Sequence, residues 1–122
     1  MYDLRTNYIE NKLFLIARGK INLIEVKTAS GDILKNARKL RPGFVMISDV
    51  RELAPTQEEG RLELQNMMRT LKDLGMAAEI RIVADNNLIT ANQLQRTSRS
   101  VGYTAPQVHS LIEAERLIDE MG

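Results

Sequence analysis

The feature that most constrains the fold is an alternation of short apolar runs with amphipathic helical patterns, which continues from residue 12 to the end of the chain. "FVMISDV", residues 44–50, is a continuous apolar run of the kind found in strands buried on both faces. A helical stripe follows it, made of Leu64, Met67, Met68, Leu71 and Leu74. Strands separated by helices predict a mainly parallel sheet, because two parallel neighbours need a crossover of about a dozen residues or more.

The first third of the chain departs from this alternation, because it begins with two consecutive strands. They are predicted at residues 2–9 and 12–18, joined by a hairpin through Glu10–Asn11. Asn22 is a candidate N-terminal cap, and the helix after it ends before Pro42–Gly43.

The rest of the chain supplies three more helices and two more strands. Thr56 and Glu59 form a predicted capping box for the second helix, which Gly75 ends. "AAEIRIVAD" and "PQVHSL" are predicted strands, each followed by a helix, and Gly102 ends the first of these helices. We therefore predict one domain, residues 1–122, of the α/β class. Its mixed, mostly parallel sheet has about five strands with about four helices, in the order β-β-α-β-α-β-α-β-α.

The composition predicts a cytoplasmic protein without membrane insertion. Of its residues, 43% are hydrophobic and 27% charged, which is ordinary for a globular domain. No apolar stretch approaches the roughly 20 residues that a membrane helix needs. "MYDLRTNYIE" carries charges where a signal peptide would be apolar. The absence of cysteine excludes disulfides, thiolate nucleophiles and cysteine-ligated metals.

The charge distribution argues against nucleic acid as a partner. Residues 1–42 carry nine Lys/Arg and four Asp/Glu, residues 43–122 carry eight and twelve, and the formal net charge is +1. One dense basic group falls in the last turns of the first predicted helix, where cations complement the dipole: Lys35, Arg38, Lys39 and Arg41. The polar residues of the third helix are interpreted as its solvated side, because no helix-turn-helix partner precedes them: Gln93, Gln95, Arg96 and Arg99.

The residues that could carry enzyme chemistry are few. His109, the single histidine, lies in a predicted strand and is interpreted as a structural residue of intermediate burial. No serine has the G-x-S-x-G context of a nucleophile elbow. Asp49 and Asp85 each end a predicted strand and suit turns, but such a carboxylate pair could also hold Mg²⁺. We expect no catalytic residue, metal or cofactor, with magnesium-dependent activity at these two acids as the alternative.

Five segments carry a resemblance to a known family: "FVMISDVREL", "TQEEG", "LKDLGMAAEIRIV", "SVGY" and "VHSLIEAERLID". They supply an apolar strand ending in Asp, a helix start, and a helix ending in Gly before an alternating strand. A second helix ending in Gly follows, and then a short strand with an acidic terminal helix. From Leu13 to Ile118 the chain thereby resembles a STAS domain, and more narrowly the SpoIIAA-like group related to bacterial anti-sigma-factor antagonists. The resemblance implies a non-catalytic regulatory module that binds an anti-sigma factor or a kinase-like regulator.

The resemblance also implies a phosphorylation switch, from which this sequence departs. In the family, a partner kinase phosphorylates a serine at the start of the second helix, and this breaks the complex. If Gly60 matches the family glycine, Glu58 and Glu59 take the serine-bearing positions and Gln57 takes that of the preceding acid. A glutamate carries one permanent negative charge, whereas a phosphoserine carries about −1.5 to −2. The helix start is then either locked in a phosphorylated-like state or without a switch. Thr56 carries the one nearby hydroxyl that a kinase could modify, and its predicted role as a helix cap already explains it.

The predicted partner-binding surface joins the end of the third strand to the start of the second helix. Its residues are Asp49, Arg51, Glu52, Thr56, Glu58, Glu59, Gly60 and Arg61. The alternative function is a carrier of a small apolar ligand, because the same group also resembles lipid-binding modules of the Sec14 type. The carrier's pocket would be lined by Leu64, Met67, Leu71 and Phe14. The first strand is a predicted exposed edge, so a homodimer is a further expectation.

Overall fold

The computed structural model describes all of residues 1–122 and shows an α/β fold with the predicted order of elements. The strands are β1 (Tyr2–Asn7), β2 (Lys12–Gly19), β3 (Val45–Leu53), β4 (Ala78–Ile82) and β5 (Gln107–Val108). The helices are α1 (Leu23–Ala37), α2 (Glu58–Asp73), α3 (Leu88–Ser100) and α4 (Leu111–Met121), with a 3₁₀ turn at Asp85–Asn87 before α3. None of the helices is both long enough and apolar enough to cross a bilayer.

The five strands form one mixed sheet in the order β1-β2-β3-β4-β5. Only β1 is antiparallel to its neighbour, and the predicted hairpin is confirmed, with Asn11 in the left-handed region at φ 61°. The other neighbours run parallel. The carboxyl ends of β2 to β5 therefore share one edge of the sheet, and a helix begins soon after each of them.

The two faces of the sheet are covered unequally. α1, α2 and α3 pack on one face, where the core includes Leu13, Met46 and Leu71. α4 alone packs on the other face, where Ala114 meets Ile47, Ile80 and Ile82. Residues 44–50 are all buried, so the prediction of a strand with two buried faces is confirmed. Phe14 belongs to the α4 face, whereas Leu64 and Met67 belong to the opposite one. The predicted pocket that joins them is therefore wrong.

Two helix boundaries confirm predicted signals. Asn22 Oδ1 accepts a hydrogen bond from the backbone N–H of Glu25 at 2.9 Å, which caps α1. Gly75 follows α2 with φ of +94°, a conformation that residues with a side chain rarely adopt. The end of α1 differs from prediction: the helix stops at Ala37, so Lys39 and Arg41 lie beyond it.

The start of α2 contradicts the predicted capping box. The N-cap residue is Gln57, no side chain caps the helix, and Thr56 lies one residue outside. β3 is also longer than predicted, because pairing with β2 continues through Glu52 and Leu53. Asp49, predicted to end this strand, and Arg51, predicted to follow it, therefore both lie within β3.

Candidate functional site

The candidate site begins with an ion pair on the last part of β3. Asp49 is buried, with 8% of its surface exposed, and both of its carboxylate oxygens accept hydrogen bonds from the Arg51 guanidinium, at 3.0 and 2.8 Å. Burial alone would raise the pKa of Asp49. The hydrogen bonds and charge of Arg51 outweigh burial and hold that pKa below its ordinary value. Asp49 therefore keeps its charge and orients Arg51, which remains exposed.

Three side chains of the segment 87–93 hold the connection between β3 and α2. Asn87 Nδ2 donates to the carbonyl of Leu53 at 2.8 Å, and Thr90 Oγ1 donates to the same oxygen at 2.8 Å. Gln93 bonds both backbone groups of Thr56: its Oε1 accepts from the N–H at 2.8 Å, and its Nε2 donates to the carbonyl at 2.6 Å. The backbone of this connection is thus ordered by a neighbouring helix, since its polar groups have fixed partners.

Gly60 lets the connection pack closely against α1 and α2. A Cβ at this position would lie 2.5 Å from Thr56 Cγ2 and 3.4 Å from Val26 Cγ2. The first distance is shorter than van der Waals contact, so only glycine fits without movement of Thr56. Gly60 is buried, which makes it a packing residue of the site and removes it from the surface that a partner could touch.

The first turn of α2 projects charge outward from this fixed backbone. Glu58 and Glu59 are exposed, and Glu58 accepts two hydrogen bonds from Arg61, at 3.0 and 2.7 Å. The hydrogen bonds from Arg61 lower the pKa of Glu58. A second surface pair joins Glu52 to Arg18 on β2, at 3.1 Å. Glu59 has no ion-pair partner, so its charge is the least compensated of the group.

The structure brings the eight predicted site residues into one continuous region but gives them different roles. Arg51, Glu52, Glu58 and Glu59 are exposed, and Thr56 and Arg61 are half-buried. Asp49 and Gly60 are buried and act on the others through orientation and packing. A strand end and a helix start meet here because parallel strands bring their carboxyl ends to one edge of the sheet.

Asp85 is not part of this region. The Asp85 side chain is 91% exposed, and its Oδ1 lies 3.1 Å from His109 Nε2. The carboxylate of Asp49 instead forms an ion pair with Arg51. No group of three or more His, Asp and Glu side chains is arranged to hold a metal ion. His109 itself follows β5 and its side chain is 58% exposed, so its predicted place in a strand with intermediate burial is wrong.

A second polar group, which sequence reasoning missed, lies inside the molecule. In β4 the charged residues Glu79 and Arg81 alternate with Ile80 and Ile82, a pattern that predicts opposite faces for the two pairs and is typical of a strand with one solvated face, yet Glu79 and Arg81 are 4% and 0% exposed. Arg81 donates to both oxygens of Glu79, at 3.0 and 2.9 Å, and these oxygens also accept from Ser48 at 3.0 Å and Tyr103 at 2.6 Å. Gln95 Oε1 accepts from Arg81 at 3.3 Å. The sequence signal for this buried group is a pair of opposite charges two residues apart in a strand. The alternation of strands and helices adds to it, because such sheets carry helices on both faces.

The third-helix glutamines also differ from prediction. Gln95 is buried, accepts from the N–H of Ala105 at 3.0 Å and donates to its carbonyl at 2.7 Å. Gln93 clamps Thr56, as described above. Only Arg96 and Arg99 of the four polar residues remain on the solvated side.

A small cavity lies between the sheet and the helices of the α1–α3 face. Its volume is about 60 Å³, and 14 of its 18 lining residues are hydrophobic, Leu64 and Met67 among them. Ser48 and Glu79 of the buried polar group also line it. Ser30 lines it as well, and its Oγ is the one buried side-chain polar atom without a hydrogen-bond partner. The cavity is therefore mostly apolar, and one of its lining residues carries an unsatisfied hydroxyl.

Neither a scan against protein-family models nor a search of curated proteins finds a match to this chain.

Proposed function

We propose that this chain is a STAS-type, SpoIIAA-like interaction module without catalysis, which binds a protein partner through the end of β3 and the start of α2. The observation that carries the proposal is the contrast between a clamped backbone and its exposed charges. Gln93 fixes both backbone groups of Thr56, and the next residues present Glu58 and Glu59 to solvent. A surface that is ordered before binding loses little conformational entropy when a partner arrives.

The resemblance to anti-sigma-factor antagonists supports the class of partner. A permanent carboxylate at each of the family's serine-bearing positions fits a helix start without a switch, and therefore a constitutive interaction, because the phosphorylated-like state is the one that the family's kinase partner releases. The uncompensated charge of Glu59 favours a basic group on the partner, an anti-sigma factor or kinase-like regulator, because complementary charges steer association.

The test is affinity capture from the native cell with mass-spectrometric identification, using three baits. The first is the wild type, and the second is Glu58→Lys/Glu59→Lys. The third, Glu115→Lys/Glu120→Lys, makes the same charge change on the exposed side of α4. We expect the wild type and the α4 variant to retain one shared partner that the α2 variant loses. Equal capture by all three baits, with unchanged circular dichroism, would contradict the proposal.

The cavity favours a second candidate, a carrier of a small apolar ligand. Its lining is mostly hydrophobic, but about 60 Å³ is well below the roughly 150 Å³ of a cavity that holds a benzene molecule. An acyl chain would therefore require the helices of the α1–α3 face to move outward. Native mass spectrometry of freshly purified protein tests this candidate: a carrier retains extra mass that organic extraction removes, and a protein of the bare chain mass contradicts it.

A further inference from the structure

The outer edge of β1 carries backbone groups that no other part of the chain uses. Met1 and Arg18 exchange two backbone hydrogen bonds, of 3.1 and 2.8 Å, across β1 and β2. Because hydrogen-bonded and non-hydrogen-bonded pairs alternate in antiparallel strands, Asp3 and Arg5 also bond to β2. The N–H and C=O groups of Tyr2, Leu4 and Thr6 therefore point away from the sheet, and no turn or loop hydrogen bond takes them.

The charges beside this edge select one way of pairing it with itself. In a two-fold antiparallel pair, three registers pair at least two of the outward-pointing residues of each copy. One places Asp3 opposite Asp3, another places Arg5 opposite Arg5, and the third is centred on Leu4 and places each Asp3 opposite Arg5 of the other copy. Opposite charges stabilise directly opposed cross-strand pairs and like charges destabilise them. The side chains of Asp3 and Arg5 are 58% and 77% exposed, so both can contact a second copy.

We propose that β1 pairs with β1 of a second copy in the register centred on Leu4, which makes one continuous ten-stranded sheet. Six backbone hydrogen bonds form, two between the Leu4 residues and four between Tyr2 and Thr6. Within each chain, Arg5 Nε lies 3.5 Å from Asp3 Oδ2. In the dimer, each of these two side chains also faces a side chain of opposite charge on the second copy. Tyr2 and Thr6 stay anchored to α1 through Asp32 and Asn36, so the edge is held in place before it pairs.

Single-cysteine variants test the register, because the chain has no other cysteine. The Asp3→Cys and Arg5→Cys variants carry tags of different mass. They are mixed in equal amounts and oxidised, and the cross-linked products are identified by intact mass spectrometry. In the proposed register, residue 3 of one copy lies opposite residue 5 of the other, so the mixed disulfide dominates and neither variant alone cross-links. Disulfides formed by either variant alone, or the absence of the mixed disulfide, would overturn the register.

Charge reversal tests the association itself by sedimentation velocity at low salt. Asp3→Arg and Arg5→Asp should each weaken the dimer by about tenfold or more, since two opposite-charge pairs become like-charge pairs. An equal mixture of the two should associate again, because every pair is then complementary. Glu120→Lys on α4 is the control and should associate like the wild type. A wild type that stays monomeric at about 0.5 mM, near the weak end of specific association, or a dimer insensitive to both reversals, would overturn the proposal.

Discussion

Replacing Glu79 by glutamine removes the charge that balances Arg81 in the interior. Arg81 is fully buried, so the variant leaves a guanidinium without a counter-charge, and breaking a buried pair in this way costs about 3–5 kcal/mol. A domain of this size has a total stability of about 5–15 kcal/mol. With a urea dependence of about 2 kcal/mol per molar, the unfolding midpoint should fall by about 2 M.

The pH dependence of the same pair provides a second measurement. Burial raises the pKa of Glu79, but the charge of Arg81 and hydrogen bonds from Arg81, Tyr103 and Ser48 outweigh it and leave the pKa below the ordinary 4.5. The ionised form is thus favoured by folding, and its contribution is present above pH 4.5 and is lost as pH falls through the folded-state pKa. Stability of the wild type should therefore fall more steeply in acid than that of Glu79→Gln.

Urea unfolding followed by circular dichroism, at pH 7 and through the acid range, measures both effects. The control is Glu79→Gln/Arg81→Met, which removes both charges and should be more stable than the single variant, because no uncompensated charge remains. A loss below about 1 kcal/mol in the single variant, within the range of a neutral hydrogen bond, would refute the reasoning. Identical acid profiles for wild type and variant would do the same.

Three further changes test the site and the cavity. Gln93→Ala removes both bonds to Thr56 and should speed amide exchange at that residue while costing about 1–3 kcal/mol; unchanged exchange would show that the clamp does not order the connection. Gly60→Ala should lower the melting temperature despite its better helix propensity of about 1 kcal/mol, because the added methyl meets Thr56; a more stable variant would mean that Thr56 moves aside freely. Ser30→Ala should stabilise the empty protein by about 1 kcal/mol in chemical unfolding, since its hydroxyl is buried without a partner; a loss of stability would indicate a bound partner for that hydroxyl.

Much of the architecture followed from local signals that packing did not override. The Asn22 cap, the apolar run at 44–50 and Gly75 each act within a few residues, and the structure uses all three as predicted. The order of strands and helices followed from their alternation, because parallel pairing leaves few arrangements of such a chain.

The errors concern residues whose partners are distant in the sequence. Arg51 and Glu52 look like loop residues, but pairing with β2 extends β3 over them and leaves their side chains in solvent. Thr56 looks like a helix cap, but its backbone N–H and carbonyl are hydrogen-bonded to the side chain of Gln93, 37 residues away. Glu79 looks like the exposed side of a strand until the helices above that face bury it with Arg81. The opposite charges of Glu79 and Arg81 are the one local trace of these contacts in the sequence; the contacts of Arg51, Glu52 and Thr56 leave none.

Hydrogen exchange of the chain alone and with its captured partner tests the central proposal most directly. Docking at the end of β3 and the start of α2 predicts that amides of residues 49–63 become protected on binding, while those of β1 and α4 do not change. Protection confined to α4 or to the β1 edge, with residues 49–63 exchanging as in the free chain, would contradict the account.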